Sequence, residues 1–140
     1  MLALLTLSVM TLCAQDQYVF HRMNTNDGLS SNTINCIFAD SRGYLWIGTE
    51  SALNRYDGYN MKAYYSFNRK GATLANNIQS IQEDAEGKVW IEANQSYVIY
   101  KGGADGFDTR SNEYLKSLGI AVTIPYKMAA DDAGNLFVAT

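Results

Sequence analysis

The chain has 140 residues, of which 47% are hydrophobic, 18% are charged and one is proline, a composition that excludes a disordered or collagen-like protein. The net charge is -3 and the 11 Lys and Arg residues are scattered, so we expect no contact with nucleic acid. Ten Tyr and five Phe residues favour β structure.

Residues 1–14 are uncharged and mostly apolar, and polar residues follow from Gln15 onward. The segment is shorter than the roughly 20 residues of a typical membrane-spanning helix. Ala14 supplies a small residue where a signal peptidase cuts. We therefore predict a signal peptide over residues 1–14 and an exported mature chain. A buried apolar strand is the alternative, because the segment lacks the Lys or Arg with which signal peptides begin.

Cleavage after Ala14 would remove Cys13 and leave Cys36 alone, so no internal disulfide could form. Cys36 lies in an apolar run and is predicted to act as a small hydrophobe. Residues 18–33 are predicted to form an outer strand, over 18–23, and the loop that leads into the next strands. The strand prediction comes from alternating aromatic, apolar and polar residues before the turn signal Asp27-Gly28.

One pattern then occurs three times: Asp, two residues, Gly, one residue, and an apolar, an aromatic and an apolar residue. Asp84 lies 44 residues after Asp40, and Asp131 lies 47 residues after Asp84. A unit of that length is typical of a four-stranded propeller blade. The predicted fold class is therefore all-β: a partial β-propeller of about two and a half four-stranded blades.

The period divides the chain into blade 1 at residues 34–77, blade 2 at residues 78–122, and the start of a truncated blade 3 at residues 123–140. Residues 111–119 contain apolar residues at helical spacing and end in Gly, which predicts a short inserted helix. The predicted strands are 34–39, 44–49, 53–56 and 61–66 in blade 1, and 78–83, 88–93, 97–101 and 106–110 in blade 2.

Each copy of the pattern predicts a β-hairpin. Asp at the first turn position accepts backbone N–H groups, and Gly three residues later takes the left-handed conformation that closes the turn. The aromatic position is predicted to pack between blades. The residues assigned to this structural repeat are Asp40, Gly43, Trp46, Gly48, Thr49, Tyr56, Asp57, Gly58, Asp84, Gly87, Trp90, Asp131, Gly134 and Phe137.

The sequence predicts no catalytic, cofactor-binding or metal-binding residues. His21 is the only histidine, which excludes a Ser-His-Asp triad and a histidine-rich metal site within the chain. Asp105 and the pair Asp131-Asp132 lack the alternating oxygen ligands of a calcium loop. Turn chemistry explains both.

A set of nearby carboxylates raises the question of glycoside hydrolysis, which needs an acid and a base on either side of the scissile bond. The set comprises Glu83, Asp84 and Glu86, all near the tip of the second hairpin. Their place at a hairpin tip favours a structural role.

Three segments resemble the two-component regulator propeller repeats of periplasmic sensor regions in bacterial hybrid two-component proteins. They are residues 27–32 (DGLSSN), the hairpin residues 40–49, and residues 53–58 (LNRYDG). The resemblance covers residues 18–140. It departs from the family pattern at residues 92–94, where the family has Gly-Thr, and at Phe137, where the family has Trp.

The resemblance implies a longer parent receptor with a seven-bladed propeller, a membrane helix, a histidine kinase and often a response regulator. This chain would then be a truncated gene product or a partial sequence, and its partners would be the remaining blades. The parent would be anchored in the inner membrane, as a homodimer, and would regulate transcription through a phosphorelay.

Two functions stay open at the level of sequence. The first is periplasmic sensing of a glycan-derived ligand, with no catalysis by this segment. The alternative is a protein-interaction platform or an extracellular lyase or glycosidase scaffold. The residues offered as ligand contacts, all expected to be exposed, are Tyr59, Arg69 and Tyr97.

Overall fold

The computed structural model describes residues 19–67, 77–121 and 126–139. Within them, two four-stranded antiparallel sheets and one hairpin follow each other along the chain, and each sheet has its strands in sequence order. The first sheet contains β1 (Ile34–Ala39), β2 (Leu45–Thr49), β3 (Leu53–Tyr56) and β4 (Met61–Tyr64). The second contains β5 (Ile78–Glu83), β6 (Val89–Ala93), β7 (Ser96–Lys101) and β8 (Gly106–Asp108), and β9 (Lys127–Ala130) pairs with β10 (Leu136–Ala139).

The eight strands of the two sheets agree with the predicted strands to within two residues at every boundary. The names blade 1, blade 2 and blade 3 are kept for the first sheet, the second sheet and the hairpin of β9 and β10. The predicted helix is confirmed as α1 (Ser111–Ser117), which buries Leu115. It is followed by Gly119 at a left-handed φ of 80°. No helix among the described residues is long and apolar enough to span a membrane.

The N-terminal prediction lies partly outside the described residues. Residues 1–18, which contain the predicted signal peptide and Cys13, are among those not described. Residues 19–24 carry no strand assignment, and the outer strand over 18–23 stays a prediction. Short 3-10 helices occupy Thr25–Asp27 and Gly102–Ala104.

Hydrophobic packing takes place between the blades. One buried cluster joins Trp46 and Leu53 of blade 1 to Ile78, Ile81 and other residues of blade 2. A second joins Trp90, Tyr97 and Ile99 of blade 2 to Leu115 of α1 and to Tyr126 and Met128 near blade 3. Strand β6 is buried at all five positions because neighbouring layers cover both of its faces.

Blades 1 and 2 are in close contact at Gly48. A Cβ atom built there would lie 2.5 Å from Cys36 Sγ and 2.6 Å from Cγ2 of Ile78, which is in the inner strand of blade 2. Cys36 is a free, half-buried cysteine, and burial raises the pKa of its thiol. Both facts agree with the predicted hydrophobic role, and they show that Gly48 is needed for blade packing.

Replacing Gly48 by alanine should therefore destabilise the chain. Overpacking of this kind costs about 1–3 kcal/mol of unfolding free energy, and urea unfolding followed by tryptophan fluorescence would measure it. Gly103→Ala is the matched control, because no heavy atom lies within 4 Å of the Cβ position there. Its effect should stay within about 0.5 kcal/mol. Equal urea midpoints for the two variants would contradict the close contact between blades.

Candidate functional site

The repeated aspartates form the most regular polar arrangement in the chain. Asp84 Oδ1 accepts the backbone N–H groups of Glu86 and Lys88 at 3.1 and 2.8 Å, and Asp84 Oδ2 accepts the indole N–H of Trp90 at 2.8 Å. Asp40 makes the same set of bonds, including 2.9 Å to the indole of Trp46. These carboxylates therefore hold the hairpin turn and the core tryptophan together.

The third copy shows what happens when the tryptophan is absent. Asp131 Oδ1 accepts the backbone N–H groups of Ala133 and Asn135, as the pattern requires. The side chain of Phe137 has no N–H to donate, and Asp131 Oδ2 instead accepts a hydrogen bond from the side-chain amide of Asn135 at 2.9 Å. This turn is exposed, whereas Asp40 and Asp84 are buried.

The Ser-Ser segment near the N-terminus is bound to the two central strands of blade 1, β2 and β3. The Ser30 hydroxyl lies 2.9 Å from both Thr49 Oγ1 and Asn54 Nδ2, and the backbone N–H of Ser30 donates to Asn54 Oδ1 at 3.0 Å. Asn54 and Thr49 are fully buried, so their polar atoms depend on these partners. The residues that carry the family resemblance here serve packing.

The turn at Asp57-Gly58 is also structural. The Asp57 carboxylate accepts the backbone N–H groups of Asn60 and Tyr59, which lower the pKa of Asp57. The Tyr56 hydroxyl donates to the backbone oxygen of Gly58 at 2.7 Å. The repeat residues of blades 1 and 2 thus hold the turns and the core. In the third copy Phe137 is 61% exposed, so the prediction that the aromatic residue packs between blades is wrong there, because no further blade of the described chain covers it.

A polar cluster that the sequence did not reveal joins blades 1 and 2 around Asp105. Arg55 Nη1 lies 2.9 Å from Asp105 Oδ1, the hydroxyls of Tyr64 and Tyr100 donate to that oxygen at 2.6 and 2.9 Å, and Lys62 pairs with Oδ2. Burial opposes ionisation of Asp105, yet these donors hold its pKa well below the usual range. We name these five residues the Asp105 cluster.

Aromatic rings surround the guanidinium of Arg55. Its centre lies 4.6 Å from the ring of Tyr44 and between 5.7 and 5.9 Å from the rings of Trp46, Tyr64 and Tyr100. Such contacts stabilise a cation through the ring quadrupoles. Burial and the hydrogen bond to Asp105 raise the pKa of the Tyr64 hydroxyl, so the tyrosine stays a donor.

Blades 2 and 3 are joined by a buried carboxylate where the family pattern has glycine. Glu92 is 2% exposed and accepts hydrogen bonds from the hydroxyls of Ser80 and Tyr97. Lys127 pairs with its other oxygen. The departure at residues 92–94 is therefore a change of interface chemistry: a charged contact replaces the close glycine contact of blade 1.

The three predicted ligand contacts fare differently. Tyr59 is 93% exposed at the tip of a turn. Arg69 lies outside the described residues. The prediction that Tyr97 is exposed is wrong: it is 2% exposed, stacks on Tyr126 and accepts the backbone N–H of Met128, because strand β7 is covered by blade 3. A role in ligand binding stays a prediction for Tyr59.

A groove of about 600 Å³ runs across the inner strands of the blades. Phe38 contributes from blade 1, Ile81 to Ala85 from blade 2, and Met128 to Gly134 from blade 3. The described residues contain no group of three or more His, Cys, Asp or Glu side chains that could hold a metal ion. This groove is the candidate functional site.

Comparisons with known proteins agree with this geometry. Residues 28–51 match the family model described as the two component regulator propeller. The predicted resemblance is confirmed. The matched residues contain the Ser30 segment, the first hairpin and the tryptophan that its aspartate holds.

Two proteins extend the comparison beyond those residues. The extracellular domain of the putative hybrid two component system BT3049 from B. thetaiotaomicron, a crystal structure, has a TM-score of 0.60 at 22% identity and covers 89% of this chain. Histidine kinase P4 of Formosa agariphila is 34% identical over 58 residues, or 41% of this chain. The structural likeness shows the fold and, with the family match, confirms the partial β-propeller.

The chain spans only a small part of both similar proteins. It corresponds to 17% of the BT3049 chain and to 4% of histidine kinase P4. Sensing, signalling and membrane anchoring therefore belong to the proposal below.

The Asp105 cluster predicts a pH dependence of stability. Because the pKa of Asp105 is lower in the folded chain than the roughly 3.9 of an unfolded Asp, its ionised form stabilises the fold above that pH. This stabilisation should decrease as the pH falls below about 4. We expect the gap in unfolding free energy between the natural chain and Asp105→Asn to be widest at pH 7 and to shrink in acid.

Asparagine suits this test because it tolerates the left-handed φ of 44° at this position. Urea unfolding between pH 7 and pH 3 would measure the gap. Asp132→Asn, which removes an exposed carboxylate, is the control and should give a small gap at every pH. If the difference in unfolding free energy between the natural chain and Asp105→Asn stays constant with pH, the ionised carboxylate does not stabilise the contact between blades.

Proposed function

We propose that this chain is the ligand-sensing propeller segment of an exported receptor in a hybrid two-component system, and that the receptor responds to glycan-derived ligands. The observation that carries the proposal is the match of residues 28–51 to the two component regulator propeller. The likeness to the extracellular domain of BT3049 and to histidine kinase P4 supports it. In the parent, the signal would pass through a membrane helix to a histidine kinase and regulate transcription.

The state of the carboxylates near the second hairpin favours sensing over glycoside hydrolysis. Both oxygens of Glu83 accept hydrogen bonds from Ser41, and Asp84 is buried with three donors. Glu86 is exposed and lies 3.7 Å from Lys88. Carboxylates held in this way stabilise turns and leave no acid and base aimed at a common point.

The contacts between blades suggest how binding could be transmitted. Blade 1 is joined to blade 2 by the Asp105 cluster and by the Ser41–Glu83 hydrogen bonds, and blade 2 is joined to blade 3 by Glu92 and Lys127. A ligand that spans the inner strands would favour one relative angle of the blades if it binds that arrangement more tightly. That shift in angle would be the signal that the receptor transmits.

Loss of the segment should abolish the transcriptional response. In the bacterium that carries the gene, an in-frame deletion of the codons for residues 34–121 should remove the induction of genes by one glycan. Messenger RNA would be measured after transfer to each of a panel of purified polysaccharides. A strain with Gly103→Ala should keep the response. Full induction by every glycan in the deletion strain would contradict the sensing function.

Export can be tested separately. Fusion of residues 1–33 to an alkaline phosphatase that is active only outside the cytoplasm should give phosphatase activity, and mass spectrometry should find a mature N-terminus at Gln15. Ala14→Arg should block that cleavage, because signal peptidase requires a small residue there. Absence of phosphatase activity, with the fusion protein present in the cytoplasm, would contradict the predicted signal peptide.

A further inference from the structure

The groove across the inner strands contains one polar group that the fold leaves unsatisfied. Gln82 lines the groove on β5 and is 8% exposed, and its amide Nε2 is buried with no hydrogen-bond partner among the described residues. A buried donor without a partner costs about 1–3 kcal/mol. Such a group needs an explanation, and a ligand that accepts its hydrogen bond is one.

Comparison between blades shows that the fold itself does not require an amide at this position. Gln82 lies opposite Trp90 on β6, just as Phe38 lies opposite Trp46 on β2 in blade 1. Phe38 packs against the hydrophobic cluster between blades 1 and 2. In blade 3 the same position is Ala129, opposite Phe137. The repeat thus accepts apolar side chains here, and blade 2 carries a hydrogen-bond donor instead.

The charges around the groove restrict the ligand. Four carboxylates line it, on Glu83, Asp84, Asp131 and Asp132, and no Lys or Arg is among the lining residues. The first three are engaged by Ser41 or by their own turns, while Asp132 is exposed. An anionic ligand would be repelled by this lining. A neutral group that both donates and accepts hydrogen bonds suits it.

Apolar surface completes the groove. Phe38, Ile81 and Met128 lie beside the polar groups, and the volume of about 600 Å³ falls within the range of small-molecule sites. A sugar ring has hydroxyls for the amide and the carboxylates and a C–H face for the apolar side chains.

We propose that the groove between the inner strands of blades 2 and 3 binds a neutral saccharide unit and that Gln82 Nε2 donates a hydrogen bond to one of its oxygens. The proposal rests on the glycan-sensing function above and adds to it the site and the charge of the ligand. A saccharide held there contacts residues of three blades and so lies where the angle between blades is set.

The test uses the full chain labelled with ¹⁵N. The probes are the neutral sugars maltotriose, xylotriose, mannotriose and laminaritriose, the anionic trigalacturonate, and calcium chloride. The side-chain amide signals of Gln82 are assigned by their loss in Gln82→Leu. We expect at least one neutral sugar to shift those signals. Trigalacturonate and calcium should leave them unchanged.

The association constant for that neutral sugar should fall roughly tenfold in Gln82→Leu, which corresponds to the loss of one hydrogen bond. Gln79→Leu is the matched control, because Gln79 is exposed on the same strand, and it should bind as the natural chain does. Urea unfolding should show Gln82→Leu to be as stable as the natural chain or more so, since the substitution removes an unsatisfied donor. A weaker affinity in that variant would then reflect the lost contact.

The remaining outcomes overturn the site. Neutral-sugar binding that Gln82→Leu does not weaken would place the ligand elsewhere and leave the sensing function intact. Shifts caused only by trigalacturonate or calcium would refute a neutral saccharide. If no probe shifts the Gln82 signals while the bacterium still responds to a neutral glycan, the groove is not the binding site. Shifts at Gln82 without any glycan response in the bacterium would instead refute the sensing function and keep the site.

Discussion

The structure depends on one carboxylate in each of its first two blades. Asp40 and Asp84 are buried, and a buried charge is tolerated only when its oxygens are hydrogen-bonded. In both, one oxygen closes the hairpin turn through two backbone N–H groups and the other holds the indole of the tryptophan six residues later. A single side chain thereby fixes the turn at the end of the hairpin and the ring that packs on the next blade.

The contacts between blades build on that constraint in two different ways. Blades 1 and 2 meet through a tight apolar contact at Gly48 and through the Asp105 cluster. Blades 2 and 3 meet through the buried Glu92, its partner Lys127 and the groove beside Gln82. Near-identical hairpins thus lead to two interfaces of different chemistry, and the groove that reaches blade 3 carries the unsatisfied amide.

Sequence alone predicted the fold well because the repeat consists of residues whose local conformation and hydrogen bonds form the turns. Turn residues at fixed spacing place every hairpin, and the helix follows from its own periodicity and terminal glycine. The indole bonds of Asp40 and Asp84 were missed, although the spacing of Asp and Trp contains them. The Asp105 cluster could not be predicted, because Arg55 and Asp105 are 50 residues apart and meet only after two blades pack. The burial of Tyr97 likewise depends on contacts with Tyr126 and Met128, which form only when blade 3 packs on blade 2.

The buried Glu92 has a consequence for how the chain assembles. Proteins made of similar repeats are prone to pair the wrong units while they fold. The Gly48 face of blade 1 permits the close approach of Ile78, whereas the Glu92 face of blade 2 requires a cation such as Lys127. An exchange of neighbours would leave Glu92 buried without its cation, at a high cost in free energy. The Gly48 face of blade 1 and the Glu92 face of blade 2 thereby favour the observed order of the blades.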